Sequence, residues 1–200
     1  MIRSIAVLVS AILLSSPRMP TTQAARYARA LNAAAKEHDF DPLTAVAIIH
    51  FESRWRPNAI SPDGEDYGLG QVRGRFLAAC RDDADPVGAP SDACRAAKGA
   101  LLHGETNIKR MASIITANRE LCREKTGSAK VQQWLAGYAG LNFPSRGRWC
   151  QPGEKQWRVV AYRRELIAKL LPKPKRATKP KRVIAAKVSR GAAPAKRTAR

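Results

Sequence analysis

The sequence predicts a mainly α-helical domain followed by a disordered basic tail, and three observations predict it. Apolar residues recur at helical spacing through much of residues 25–171, while no segment there alternates like a strand over more than a few residues. A hydrophobic share of 44% over 200 residues is ordinary for one globular domain with its own core. Charge is unevenly spread: 36 Lys and Arg against 16 Asp and Glu give +20, and residues 172–200 hold 11 basic residues and no acidic one. No apolar run reaches the roughly 18 residues of a membrane-spanning helix, which excludes an integral membrane protein built of such helices. The Leu, Ile, Val and aromatic content of the middle of the chain excludes wholesale disorder.

Residues 1–24 read as a signal peptide. Arg3 supplies a positive start, Ile5–Leu14 is apolar, and small residues with a cleavage-like site follow at Thr22-Gln23-Ala24. The alternative is a short buried helix of the fold; Ser15-Ser16-Pro17-Arg18 breaks the pattern at once and weighs against it. Export is therefore expected, to a periplasm, cell envelope or medium. In an oxidising compartment the four cysteines, Cys80, Cys94, Cys122 and Cys150, favour disulfides. Three pairings are possible, and chain proximity favours Cys80 with Cys94 and Cys122 with Cys150. With no C-x-x-C pair and only His38, His50 and His103, neither a metal nor another cofactor is expected.

Within the domain, expected over 25–171, Tyr27, Leu31 and Ala34 mark a helix from Ala25 to Lys36. Asp41-Pro42 has the form of an N-cap followed by proline at the first helical position, and the pattern Leu43, Val46, Ala47, His50 carries a second helix to about Trp55, before Pro57. Residues 57–74 are rich in Pro, Gly, Asp and Asn and read as a long loop, a kind of segment that usually carries function. Further helices are expected at Glu105–Cys122, Ser128–Ala139 and Glu154–Leu171, the last ended by Pro172.

Glu52 is the candidate catalytic residue. It falls in the last turn of its helix, where the dipole disfavours negative charge, and its expected neighbours Ile48, Ile49 and Trp55 are apolar. Both effects raise a carboxyl pKa. An acid that stays protonated near neutrality is what glycosidic cleavage requires, because the departing sugar oxygen must take a proton. From these features alone a solvated glutamate at a helix end is the commoner reading.

The wording of the stretch changes that balance. Ala47-Ile48-Ile49-His50-Phe51-Glu52-Ser53-Arg54-Trp55-Arg56-Pro57-Asn58-Ala59, then Ser61-Pro62-Asp63-Gly64 and Tyr67-Gly68-Leu69-Gly70-Gln71-Val72, resembles the soluble lytic transglycosylases of bacterial cell-wall turnover. Weaker echoes follow in Glu105-Thr106-Asn107-Ile108 and Gly137-Tyr138-Ala139-Gly140, so the resemblance covers about residues 25–171. It implies a lysozyme-like helical fold and cleavage of the β-1,4 bond between N-acetylmuramic acid and N-acetylglucosamine in peptidoglycan. There are two departures: one extra residue between Gly64 and Gly68, and Ala139 where the family has asparagine, with Asn142 the nearest amide that could replace it. Asp66-Tyr67-Gly68 is also similar to animal-type lysozymes and to the transglycosylases of secretion systems, and in the lysozyme resemblance Asp66 holds the place of the second catalytic carboxylate.

Two mechanisms follow from the resemblance. In the transglycosylase, Glu52 acts alone as acid and then base, and an anhydro sugar forms; in the lysozyme, Asp66 assists as nucleophile or electrostatic partner, with the carboxyls roughly 5 Å apart, and water completes hydrolysis. The transglycosylase version is preferred, leaving Asp66 as a possible participant. By the same resemblance Ser61, Tyr67, Gln71, Asn107 and Tyr138 would bind substrate or shape the groove, with Tyr138 hydrogen-bonded to Glu52. His50, about 200° round the helix from Glu52, should face away from it. Glu105 fits the first turn of its own helix better than the site.

The tail, 172–200, alternates Lys and Arg with Pro and Ala and contains no aromatic residue that could stack on bases. Anionic envelope polymers are its expected contact, and nucleic acid a less favoured one. Two other function classes remain open on sequence: a non-catalytic peptidoglycan-binding module, and a nucleic-acid-binding protein resting on the tail alone.

Overall fold

A computed structural model describes residues 4–171; the tail expectation lies outside the described residues. The helices are α1 (Ile5–Ser15), α2 (Thr21–Glu37), α3 (Pro42–Glu52), α4 (Asp92–Ala100), α5 (Gly104–Thr126), α6 (Val131–Tyr138) and α7 (Glu154–Leu170). Two two-residue strands, β1 (Asp66–Tyr67) and β2 (Val72–Arg73), pair antiparallel with Asp66 opposite Arg73.

The packing follows from where the apolar residues fall. In α2 a single stripe is buried, Ala24, Tyr27, Ala28, Leu31, Ala34 and Ala35, and it lies against α1 and α5. α3 differs, with every residue from Pro42 to Ile49 buried, so it is the central helix of the domain, touching α1, α2 and α7. Its start is fixed by Asp41, whose carboxylate accepts from the Leu43 N–H at 3.3 Å and from Arg163 Nε of α7 at 2.5 Å. α5 buries Ile108, Met111, Ala112 and Ile115 and ends at Gly127, whose φ of 69° gives the left-handed cap that glycine tolerates best.

The expected helix to Trp55 stops three residues early. Ser53 caps α3, and Arg54 and Trp55 take left-handed φ values of 54° and 63°. The turn draws Trp55 inward, where it is 4% exposed, stacks on Tyr27 and donates from Nε1 to Ser15 Oγ at 2.8 Å. Trp55 is thus not on the helical face of Glu52, as the periodicity implied.

Residues 5–15, read above as part of an export address, form α1. Leu8, Ala11 and Ile12 are fully buried against α2, α3 and α7, and Ser15 also hydrogen-bonds His50 Nδ1 at 2.9 Å. Thr22–Ala24 lies inside α2, with Ala24 wholly buried. This is the packing of the full-length chain; removal of the first 24 residues would uncover that part of the core. α4, where no element is expected from the sequence, is capped by Ser91, whose Oγ accepts from the Cys94 N–H.

Disulfides join Cys80 to Cys94 and Cys122 to Cys150. The first closes the loop in front of α4; the second ties the end of α5 to the segment between α6 and α7. Reduction is expected to lower unfolding free energy by up to about 3 kcal/mol for a loop of about 15 residues and slightly more for a longer one. Urea unfolding with and without reductant measures it, and an unchanged midpoint would show that neither bridge constrains the unfolded chain.

Candidate active site

α3 is buried from Pro42 to Ile49, half-buried at His50 and Phe51, and at its last residue, Glu52, it opens on a groove of about 840 Å³. Residues of α5, α6 and α7 line it, together with Asp66, Gln71, Val72 and Arg73 of the hairpin. Glu52 is exposed to the groove, and the protein that surrounds the groove costs its carboxyl part of its hydration. That desolvation, with the nearby Asp66 charge second and Lys155 opposing, raises its pKa from 4.5 to about 7.

Asp66 is placed differently. Its two oxygens accept from Arg73 Nε and Nη2 at 3.0 and 3.2 Å, and the bridge pairs the residues that face each other across the hairpin. Arg73 also reaches Glu65 at 3.4 Å, and Glu65 in turn pairs with Arg75. The two carboxyls of the site therefore have opposed environments, one without a cationic partner in contact and one in a bidentate ion pair.

The segment between the strands is pinned from beneath. Gly68 has φ 72°, and a Cβ there would lie 2.2 Å from the Leu101 carbonyl and 2.3 Å from Asn107 Nδ2, so this position requires glycine. Asn107, 0% exposed, accepts from the Gly70 N–H at 2.7 Å and donates to the Tyr67 and Leu101 carbonyls at 2.8 and 2.9 Å. Tyr138 donates to the Gly70 carbonyl at 2.5 Å. Burial and the charges of Glu52 and Asp66 push the Tyr138 phenol well above its ordinary pKa, which keeps it neutral.

Several expected roles change on this geometry. Asn107 has no face open to a sugar, so it holds the loop rather than substrate. Tyr138 lines the groove, but its hydroxyl donates to the Gly70 carbonyl rather than to Glu52. Tyr67 donates to the Gly64 carbonyl and stands outside the groove, its ring beside Lys98. Ser61 is a turn residue: its Oγ accepts from the Glu65 and Asp66 N–H groups and donates to Asp63, which sets the position of Asp66. Gln71 lines the groove while its Nε2 is spent on the Gly68 and Ala59 carbonyls. Asn142 also lines it, its Oδ1 taken by the Cys150 N–H.

His50 is turned from Glu52 and stacks on Tyr162 at 4.2 Å; Glu105 pairs with Arg26 at 2.6 Å, away from the site. Sequence reasoning missed Arg73 as the partner of Asp66, and the groove-lining Arg110, Lys155, Arg158 and Phe76. Cations on amphipathic helices look like any solvated face, and only the fold turns these inward to a groove. Among the described residues no group of three or more His, Cys, Asp or Glu side chains could hold a metal.

No curated protein and no solved structure matches the chain. Residues 29–121 match the family described as Transglycosylase SLT domain, a span that contains Glu52, the whole hairpin and Asn107. That match, on a groove that holds one glutamate with a raised pKa, supports the resemblance of this part of the chain to the soluble lytic transglycosylases of the lysozyme-like superfamily.

Proposed function

We propose that the protein is a peptidoglycan lytic transglycosylase that breaks the β-1,4 bond between N-acetylmuramic acid and N-acetylglucosamine, with Glu52 as both acid and base. The observation that carries this is the inequality of the two carboxyls: Glu52 has its pKa raised to about 7, while Asp66 is held by Arg73. Glu52 gives its proton to the leaving oxygen as the C1–O bond breaks, and the substrate's own N-acetyl group stabilises the sugar cation. The 6-hydroxyl then attacks C1 and returns its proton to Glu52, so no external base or water is consumed. Asp66 contributes by its charge, which keeps Glu52 protonated at higher pH.

Asp66→Asn separates this reading from the lysozyme type. Activity at pH 6 is expected to fall by about tenfold or less, and the alkaline limb of the pH profile should move to lower pH, since one cause of the raised Glu52 pKa is gone. A collapse as deep as that of Glu52→Gln would favour a hydrolase with Asp66 as nucleophile or stabiliser. Retained saccharide binding with no cleavage by the wild type would leave the non-catalytic module. Export, removal of residues 1–24 and contact of the 172–200 polycation with anionic envelope polymers belong to the same proposal, since the substrate lies outside the cytoplasm and the tail's 11 charges suit polyanions.

A further inference from the structure

The groove is more basic than acid–base chemistry needs. Glu52 and Asp66 are its acidic residues, against Arg54, Arg73, Arg110, Lys155 and Arg158. Arg73 is taken up by Asp66 and Glu65, and Arg54 by His50 Nε2 at 2.6 Å and the Phe51 ring. The other three form no ion pair among the described residues, although Arg158 lies over the same Phe51 ring, 5.3 Å from its centroid, a contact that leaves its N–H groups to an anion. Arg110 projects from α5 on the face of Ile114 and Asn118, one and two turns further on, while Lys155 and Arg158 lie three apart on one face of α7. Like charges converging on a concave surface repel one another, and an anion between them relieves that repulsion.

We propose that Arg110, Lys155 and Arg158 form a subsite for the carboxylates of peptide stems, so that the enzyme prefers glycan strands bearing acidic stems over the same strands with those carboxylates amidated. The inference rests on the glycan-cleaving reading of the groove. Sugar hydroxyls and acetamido groups are neutral and call for no cation, whereas stem peptides carry several carboxylates for each glycan repeat. A continuous polyanion fits less well, because Glu52 and Asp66 on the groove would repel it. Lys155 also draws down the pKa of Glu52, and a stem carboxylate paired with it would cancel that pull and favour the protonated acid.

The test compares kcat/KM of the full-length protein on uncross-linked strands with free stem carboxylates and on the same strands after amidation with carbodiimide and ammonia, at about 50 mM salt to limit screening. The wild type is expected to prefer the acidic strands by about tenfold, mainly through KM. In Arg110→Gln/Lys155→Gln/Arg158→Gln the preference should shrink to within about twofold. Because each ratio is taken within one protein, a loss of folded fraction cancels. Equal rates of the wild type on both strands, or a triple variant that keeps the tenfold preference, would overturn the subsite. Glu52→Gln on both substrates separates the two levels: cleavage that survives there overturns the function reading, whatever the ratio.

Discussion

Glu52→Gln is expected to lose cleavage by at least a hundredfold while keeping its fold and its affinity for glycan, because the amide preserves shape and removes only the transferable proton. For the wild type the same residue sets the alkaline limb of activity. With its pKa near 7, the acid form dominates below that value, and kcat/KM should fall as pH rises through it. The stability consequence has a definite sign. The carboxyl pKa is raised on folding from 4.5 to about 7, so the associated stability is full below 4.5 and is lost as pH climbs through about 7. Gln carries no such penalty, and the variant should match or exceed the wild type in thermal unfolding above pH 7. Residual activity above a tenth of wild type would remove Glu52 from its role.

Asn107→Ala is expected to cost about 3 kcal/mol or more in urea unfolding, the largest stability loss of any single substitution considered. The side chain is fully buried and makes three hydrogen bonds at 2.7 to 2.9 Å, to the Gly70 N–H and the Tyr67 and Leu101 carbonyls. Alanine leaves those backbone groups without a partner in a site closed to water, and each orphaned group costs about 1–3 kcal/mol. Since whole domains are stable by only about 5–15 kcal/mol, much of the margin would go. The damage should centre on Gly68–Gln71, which loses the support that positions Gln71 and the Tyr138 contact in the groove, so activity should fall even where the protein stays folded. A loss below about 1 kcal/mol would mean that water or a local shift replaces the amide.

The helices α2 and α5 were legible because periodicity is a direct imprint of a single buried face, whereas α7 was found but not its face: it buries Gln156, Val159, Val160 and Leu166 and leaves Trp157, expected inward, exposed. α3 was legible through its Asp41-Pro42 start, but its end was not: the left-handed turn at Arg54 and Trp55 is driven by the stacking of Trp55 on Tyr27 and its bond to Ser15, both distant in sequence. The apolar run of α1 fits an export core and a buried helix alike, since both ask for the same side chains. α4 buries Cys94 and Lys98, a pair with no apolar period, and the hairpin strands of two residues are too short for alternation. In the site, Glu52 stood out through the wording of residues 47–72, since its place at the end of an apolar helix alone favoured a solvated side chain. Asn107 did not reveal its role, because an amide that contacts a sugar and one that pins a loop are the same residue on paper. The Asp66–Arg73 pair depended on strand register, which fixes who faces whom only once the hairpin forms.

The central claim is that one glutamate performs both proton transfers and closes an anhydro ring. Mass spectrometry of muropeptides released from purified peptidoglycan tests it most directly. Intramolecular attack by the 6-hydroxyl excludes water from the product, so each new muramic end is expected to be lighter than the hydrolysed form by the mass of one water. Products at the full hydrolysed mass, appearing from the earliest time points, would contradict the account and assign the bond cleavage to water.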